Sequence, residues 1–186
     1  MAKIIFGLVG TLGSGKGAVK NRLVENYKAQ DCRFSTILRD VLDRLDVPVK
    51  RENLQDLSTV LRKLFGEDLL AKVIARDASH LNSDIVVIDG IRRVSDIGHL
   101  IPLENFVLIS IDANPKIRYK RLVERNENVG DDKKTFEQFL KDQETEADKH
   151  IPEVMKLAKE KIDNSGSWEK LCEQIDHIVG KYLKDK

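Results

Sequence analysis

The chain has 186 residues, with 32 Lys and Arg against 31 Asp and Glu, a formal net charge of +1. That length suits one domain with a full-sized core, and the even balance supplies no global field toward nucleic acid or a membrane surface. Cys32 and Cys172 lie far apart without metal-ligand spacing and read as inert thiols in a reducing compartment. With no secretory signal and no apolar run near the ~18 residues that span a bilayer, the expected location is the cytoplasm.

The apolar run Ile4–Val9 reads as a buried strand, and it leads directly into Gly10-Thr11-Leu12-Gly13-Ser14-Gly15-Lys16-Gly17. Residues 18–29 follow with a helical pattern carried by Ala18, Val19, Leu23 and Val24. Strand, glycine-rich turn and helix in this order, with G-x-x-x-x-G-K spacing, make a phosphate-binding P-loop. Glycines let successive backbone N–H groups converge on an anion, and the helix N-terminus adds partial positive charge. Lys16 supplies a full charge that reaches the β- and γ-phosphates. The position after the lysine usually holds a Ser or Thr hydroxyl for Mg²⁺; here Gly17 and Ala18 stand there, so the metal is expected to be held through water, phosphate oxygens and a carboxylate elsewhere.

Further along, residues 32–36 read as a weak strand. Residues 38–45, 53–65 and 68–80 read as helices, broken at Val47-Pro48 and Gly66. Arg62 reads as an exposed helix arginine, with the lining of an acceptor site as the alternative. Residues 85–88 form a continuous apolar strand ending in Asp89-Gly90-Ile91-Arg92-Arg93. A carboxylate at the end of such a strand lies where ligands bind in doubly wound sheets. Asp89 is expected to hold Mg²⁺ through water, and Arg92 to clamp phosphate with its planar fork. After a strand at 106–111, the helix Pro115–Arg125 places Arg118, Arg121 and Arg125 at i, i+3 and i+7 on one face. Such a basic stripe beside the polar loop 126–134 suits a lid that closes over ATP.

Residues 135–150 read as one helix opened by a capping-box-like Thr135-Phe136-Glu137-Gln138. The Lys156 to Lys161 run reads as a solvated helix face, 161–163 as a short strand and 167–183 as the last helix, with Trp168 a packing residue. His80, His99, His150 and His177 are scattered, which argues against a metal cluster. Strands alternating with helices predict an α/β fold, a doubly wound parallel sheet with helices on both faces.

The segments GTLGSGKG, FSTILRD, LRKLFGEDLLAKV, IDGIR, DANPKIRYKRLVERN and IDNSGSWEKLCEQI together cover nearly the whole chain. In them it resembles the P-loop nucleotide kinases of the adenylate kinase-like group, close to bacterial and archaeal dephospho-CoA kinase-like members. The resemblance implies one kinase domain over 1–186, with an acceptor-side helical region about 38–80 and a small lid about 118–145. It implies ATP and Mg²⁺ as cofactors and a small-molecule phosphate acceptor as partner, with no nucleic acid or membrane. Gly10, Gly13, Ser14, Gly15, Lys16, Gly17 and Ala18 would bind ATP, with Arg121 and Asn164. Lys16, Asp89, Arg92, Arg121 and Arg125 would carry the transfer, while Arg39 and Arg92 would hold the acceptor. Where adenylate kinases read Asp-Gly-Phe-Pro-Arg, this chain reads Asp-Gly-Ile-Arg, and the Asn164-Ser165-Gly166 block is closer to dephospho-CoA kinases. The expected acceptor is a nucleoside or deoxynucleoside monophosphate. Dephospho-CoA, or a non-catalytic ATP-binding regulatory role, stands as the alternative.

Overall fold

Continuous apolar runs bury both faces of a strand, and here they assemble into one parallel sheet covered by helices on each side. The structure, a computed structural model, describes residues 4–125, 134–143 and 149–183. The elements in chain order are β1 (Ile4–Val9), α1 (Lys16–Tyr27), β2 (Gln30–Arg33), α2 (Phe34–Arg44), α3 (Arg51–Phe65), α4 (Leu69–His80) and β3 (Ile85–Asp89). They continue with α5 (Val94–Ile97), β4 (Phe106–Asp112), α6 (Pro115–Arg125), α7 (Phe136–Asp142), α8 (Ile151–Lys156), β5 (Glu160–Asp163) and α9 (Trp168–Leu183). The five strands run in the order β2-β3-β1-β4-β5, every pairing parallel. All their carboxyl ends therefore share one edge, with β1 at the centre.

The alternation of side chains along each strand splits the core in two. Ile5, Val9, Val86, Ile88 and Leu108 point to one face and pack on Phe34 and Leu38 of α2, Ile74 of α4 and Val154 of α8. Phe6, Leu8, Val87, Ile109 and Ile162 point to the other and meet Val19 and Leu23 of α1 and Ile175 and Ile178 of α9. Each large apolar side chain so buried contributes roughly 1.5–3 kcal/mol. On the second face α1 is also tied to α9 by Arg22, whose Nη2 lies 2.7 Å from Asp176 Oδ2, and by the Tyr27 hydroxyl, which donates to Asp176 Oδ1 at 2.6 Å. Burial, with Asp176 second, pushes the Tyr27 hydroxyl up to about 12.

Four local expectations are corrected. The strand at 32–36 is instead β2 over Gln30–Arg33, with the helix already begun at Phe34. Phe34, Leu38 and Leu42 recur at helical spacing and are buried together, whereas the edge strand is mostly exposed and offers no apolar run to mark it. The single helix at 135–150 is α7, ending at Asp142, and a separate α8 from Ile151; residues 144–148 lie outside the described residues. The Lys156 to Lys161 run is not a helix face: α8 stops at Lys156 and β5 begins at Glu160. There the exposed Lys161 alternates with the buried Ile162. Trp168 does not pack. It is 53% exposed in the first turn of α9, one turn ahead of Leu171, where burial begins. Burial pushes the Cys32 thiol up to about 11, with Asp77 and Asp31 adding to it, so thiolate is scarce at neutral pH.

Candidate phosphate-binding site

The carboxyl edge of the central strand carries the glycine loop, and its glycines answer to close approach. A Cβ on Gly10 would collide with the Ile111 carbonyl of the neighbouring strand β4. Gly15 caps α1 in the left-handed region at φ 93°, and a Cβ there would drive into the Asn164 side-chain amide. Gly13 lies against the Arg118 backbone. The first amide bond of the helix runs from Ala18 N–H to the Gly15 carbonyl at 3.0 Å, so the amides ahead of it have no intrahelical acceptor. Lys16 folds its Nζ onto the Gly10 carbonyl at 2.6 Å, spanning the loop. The loop is thus a concave turn of amides at a helix N-terminus with an ammonium group across its mouth, a built anion cradle.

Asn164, at the end of β5, ties this cradle to two other connections. Its side-chain amide donates to the Ser14 carbonyl at 2.9 Å, its backbone N–H to the Asp112 carbonyl at 2.7 Å, and its own carbonyl accepts from Arg121 Nη2 at 2.9 Å. Arg121 therefore stands beside the loop, held by α6. Two buried polar atoms have no partner among the described residues: Ser14 Oγ and Arg121 Nη1. Both lie beside loop glycines, a Cβ on Gly10 standing 2.7 Å from Ser14 Oγ and one on Gly15 3.9 Å from Arg121 Nη1, and buried groups without a partner call for an explanation such as a bound ligand, ion or water.

Arg118 shares the helix face of Arg121 but not its situation. It is buried. Nε donates to the Ala113 carbonyl at 3.0 Å, Nη1 donates to Gln143 Oε1 at 2.7 Å and to the Leu12 carbonyl at 3.4 Å, and the guanidinium lies 5.5 Å from the Phe139 ring centre. Burial draws it below its ordinary value, opposed by the charge of Asp112. The basic stripe is thus divided: Arg118 braces the P-loop on α7, Arg121 flanks the cradle, and Arg125 is exposed at the end of α6. Of the lid region about 118–145, residues 126–133 and 144–145 lie outside the described residues. Gly17 is exposed, with open space where a Cβ would stand, and Ala18 is half-buried.

On the other side of β1, Asp89 ends β3 half-buried, and its Oδ1 accepts the Gly90 N–H at 2.8 Å. A Cβ on Gly90 would stand 3.8 Å from the Phe34 side chain, so the first turn of α2 faces this corner. Arg39, one turn further, is exposed, and Arg92 is exposed on the loop after β3. Arg62 is not the exposed arginine its helix position suggested. It is 9% exposed and paired with the buried Asp96 at 2.8 Å. A second carboxylate, absent from the sequence-based set, stands at the same edge of the sheet. Asp112, at the end of β4, accepts from the Thr11 hydroxyl at 3.3 Å and from Ala113 N–H at 2.9 Å. The signal was available, since apolar strand then Asp occurs in Ile111-Asp112 as in Ile88-Asp89. Among the described residues no group of three or more His, Cys, Asp or Glu is placed to hold a metal ion, and no helix is long and apolar enough to cross a membrane.

A parallel sheet of this order, with a P-loop at the end of its central strand and an arginine brought to that loop from the helix after β4, defines a P-loop kinase-like nucleotide-binding fold. The chain belongs to the AAA domain family, which it matches over residues 9–140. It is 26% identical over 181 residues to a UPF0200 protein of Methanococcus maripaludis, covering 96% of this chain and 97% of that one. It is equally similar to a UPF0200 protein of Saccharolobus solfataricus, covering 96% and 93% of the two chains. Among solved structures, TT1252 from Thermus thermophilus superposes with a TM-score of 0.62 at 17% identity, over 97% of this chain and 98% of that one. A shikimate kinase from Bacteroides thetaiotaomicron gives 0.56 at 11% identity, over 97% and 98%. A gluconokinase from Sinorhizobium meliloti gives 0.56 at 9% identity, over 98% and 95%. At these identities the structural likeness is one of fold.

Proposed function

We propose that the protein is an ATP-dependent kinase that transfers the γ-phosphoryl group to a nucleoside or deoxynucleoside monophosphate. The observation that carries this is the cradle, with Lys16 across it and two open buried groups, Ser14 Oγ and Arg121 Nη1, at its border. A triphosphate fits that set: converging amides, a hydroxyl and a guanidinium are donors, and each gains an acceptor from it. In this reading Lys16 and the amides of 13–17 hold the donor phosphates, and Arg121 and Arg125 neutralise charge as it moves toward the leaving oxygen. Arg39 and Arg92 hold the acceptor phosphate from the β2–β3 side. Catalysis then rests on positioning and electrostatics, with the protein forming no covalent bond.

Mg²⁺, when bound, would offset the charge of the phosphates. Asp89 is the protein group suited to it, through water: Oδ1 is taken by Gly90, and Oδ2 accepts no hydrogen bond among the described residues. No hydroxyl follows Lys16. That absence favours a second reading, an ATP-binding regulatory protein that transfers nothing. An Ala18→Thr variant separates the two. In a competent kinase it changes turnover by less than about threefold, whereas a gain of orders of magnitude would show the natural loop to be impaired.

The decisive experiment is a coupled ADP-release assay with ATP and Mg²⁺ across ribo- and deoxyribonucleoside monophosphates and dephospho-CoA. Release that depends on a monophosphate is the expected result. Release dependent only on dephospho-CoA would move the acceptor, and none with any acceptor would overturn the kinase reading.

A further inference from the structure

The loop that leaves β3 is gripped by a buried charge pair to which the reaction above gives no role. Arg62, in the last turn of α3, is 9% exposed, and Asp96, in α5, is 2% exposed. Arg62 Nη2 donates to Asp96 Oδ1 at 2.8 Å, and its Nη1 donates to the Glu67 carbonyl in the turn that follows α3. The other carboxylate oxygen, Asp96 Oδ2, accepts the backbone N–H of Arg92 at 3.0 Å and of Arg93 at 2.9 Å. Arg93 closes the circuit, its Nη1 lying 3.2 Å from Glu67 Oε2. Each end of the Asp96 carboxylate is therefore committed, one to a helix and one to the two amides of the segment that presents Arg92.

A buried ion pair contributes little net stability compared with apolar residues of the same volume, because two charges must leave water. What apolar residues cannot supply here is a fixed distance between α3 and the backbone of 92–93. We propose that Arg62 and Asp96 are positioning residues for phosphate-acceptor binding: they set the backbone from which Arg92 projects and lock it to the acceptor-side helix α3. The proposal rests on the kinase reading for the identity of what Arg92 holds. Arg62 and Asp96 touch no reacting atom; they act through Arg92.

The test uses the full chain with two variants, Arg62→Lys and the isosteric Asp96→Asn, so that a folding failure in one leaves the other. Kinetics are measured with ATP and whichever of AMP, CMP, GMP, UMP or their deoxy forms the wild type turns over fastest. The expected result is an acceptor KM raised about tenfold with the ATP KM within about twofold, the signature of one displaced contact rather than a loosened fold. Amide exchange is read in parallel. Arg92 and Arg93 N–H should exchange faster in both variants, while the β3 amides of residues 85–88 keep their protection. A merely structural pair would lower the unfolding midpoint and leave the KM ratio and the Arg92 and Arg93 amides unmoved, and that outcome overturns the proposal. Equal rises in both KM values overturn it as well. A wild type that uses none of the monophosphates overturns the monophosphate reading, and the acceptor role with it; a wild type that uses one, with variants of unaltered KM, overturns the positioning role alone.

Discussion

Around the P-loop, Asn164, Arg118 and Arg121 tie three separate connections together with hydrogen bonds of 2.7 to 3.0 Å, whereas on the β2–β3 side Arg39 and Arg92 stand exposed on a helix and a loop. The first arrangement is fixed in the protein alone, because its amides, carbonyls and guanidinium groups already hold one another, and in the proposed function it sets the place of the triphosphate. The second presents its guanidinium groups at the surface, where charge interactions are screened and contribute little. In the proposed function, donor recognition is built into the backbone of the fold and acceptor recognition is carried by side chains, with the buried Arg62–Asp96 pair beneath them. The predictions below press on that contrast, from the largest expected effect to the smallest.

Removing the donor charge should do the most damage. Lys16→Ala is expected to cut phosphoryl transfer by at least about 10³-fold, some 4 kcal/mol of transition-state stabilisation, with the thermal midpoint nearly unmoved. Single-turnover ADP formation measures the first and calorimetry the second. Unchanged turnover would remove the P-loop from the reaction.

Arg118→Leu attacks the bracing instead of the cradle. It strips donors from the Ala113, Leu12 and Gln143 acceptors and the cation from the Phe139 ring. The expected cost is about 2–4 kcal/mol in stability, read as a shift in the urea midpoint, together with a raised ATP KM. An ATP KM that stays at the wild-type value in a destabilised protein would show that the loop holds its shape without α7, and the donor end would then be less interlocked than its hydrogen bonds imply.

The same contrast explains what could be read from the chain. The cradle was legible because its chemistry is local: glycines, a lysine and an apolar strand lie within fourteen consecutive residues, and the spacing alone brings them together. The parallel sheet was legible for a similar reason, since continuous apolar runs such as Ile4–Val9 bury both faces. Arg118 and Arg62 were not. On a helix each has the periodicity of a solvated arginine, and what buries them, Gln143 and Phe139 in one case and Asp96 in the other, is set by tertiary packing between distant segments. The edge strand β2 failed for the opposite reason: exposed along most of its length, it carries no hydrophobic signature. Trp168 was misjudged because large aromatic residues are usually buried, and only the position of the first turn of α9 leaves this one in water.

Arg39→Ala tests the open end. Because Arg39 is exposed, its loss should leave stability within about 0.5 kcal/mol while raising the acceptor KM about tenfold and the ATP KM less than twofold. Initial-rate kinetics with each substrate varied in turn provide the measurement. Equal effects on the two constants would take Arg39 out of the acceptor site and would leave Arg92 to hold the phosphate without it.

The smallest effect lies behind the donor end, where Asp176 anchors α1, the helix that begins in the P-loop, to α9. Arg22 hydrogen-bonded to it, with help from Tyr27, holds the Asp176 carboxyl below its usual range. A carboxylate depressed in the folded state contributes stability above its unfolded value near pH 4, and that contribution is lost as pH falls through the lower folded value. Asp176→Asn should therefore cost no more than about 1 kcal/mol at pH 7, since the half-exposed carboxylate is screened by solvent. The difference from wild type should hold at pH 5 and close below about pH 4, as protonation removes the same charge from the natural protein. Urea midpoints at pH 7, 5 and 3 follow it. The ATP KM at pH 7 should stay at the wild-type value, because the glycine loop is held by Asn164 and Arg118 and not by the far side of α1. A raised ATP KM with this mild loss of stability would mean that the cradle takes its shape from the helix behind it, and the contrast between a self-supporting donor end and a side-chain acceptor end would have to be redrawn.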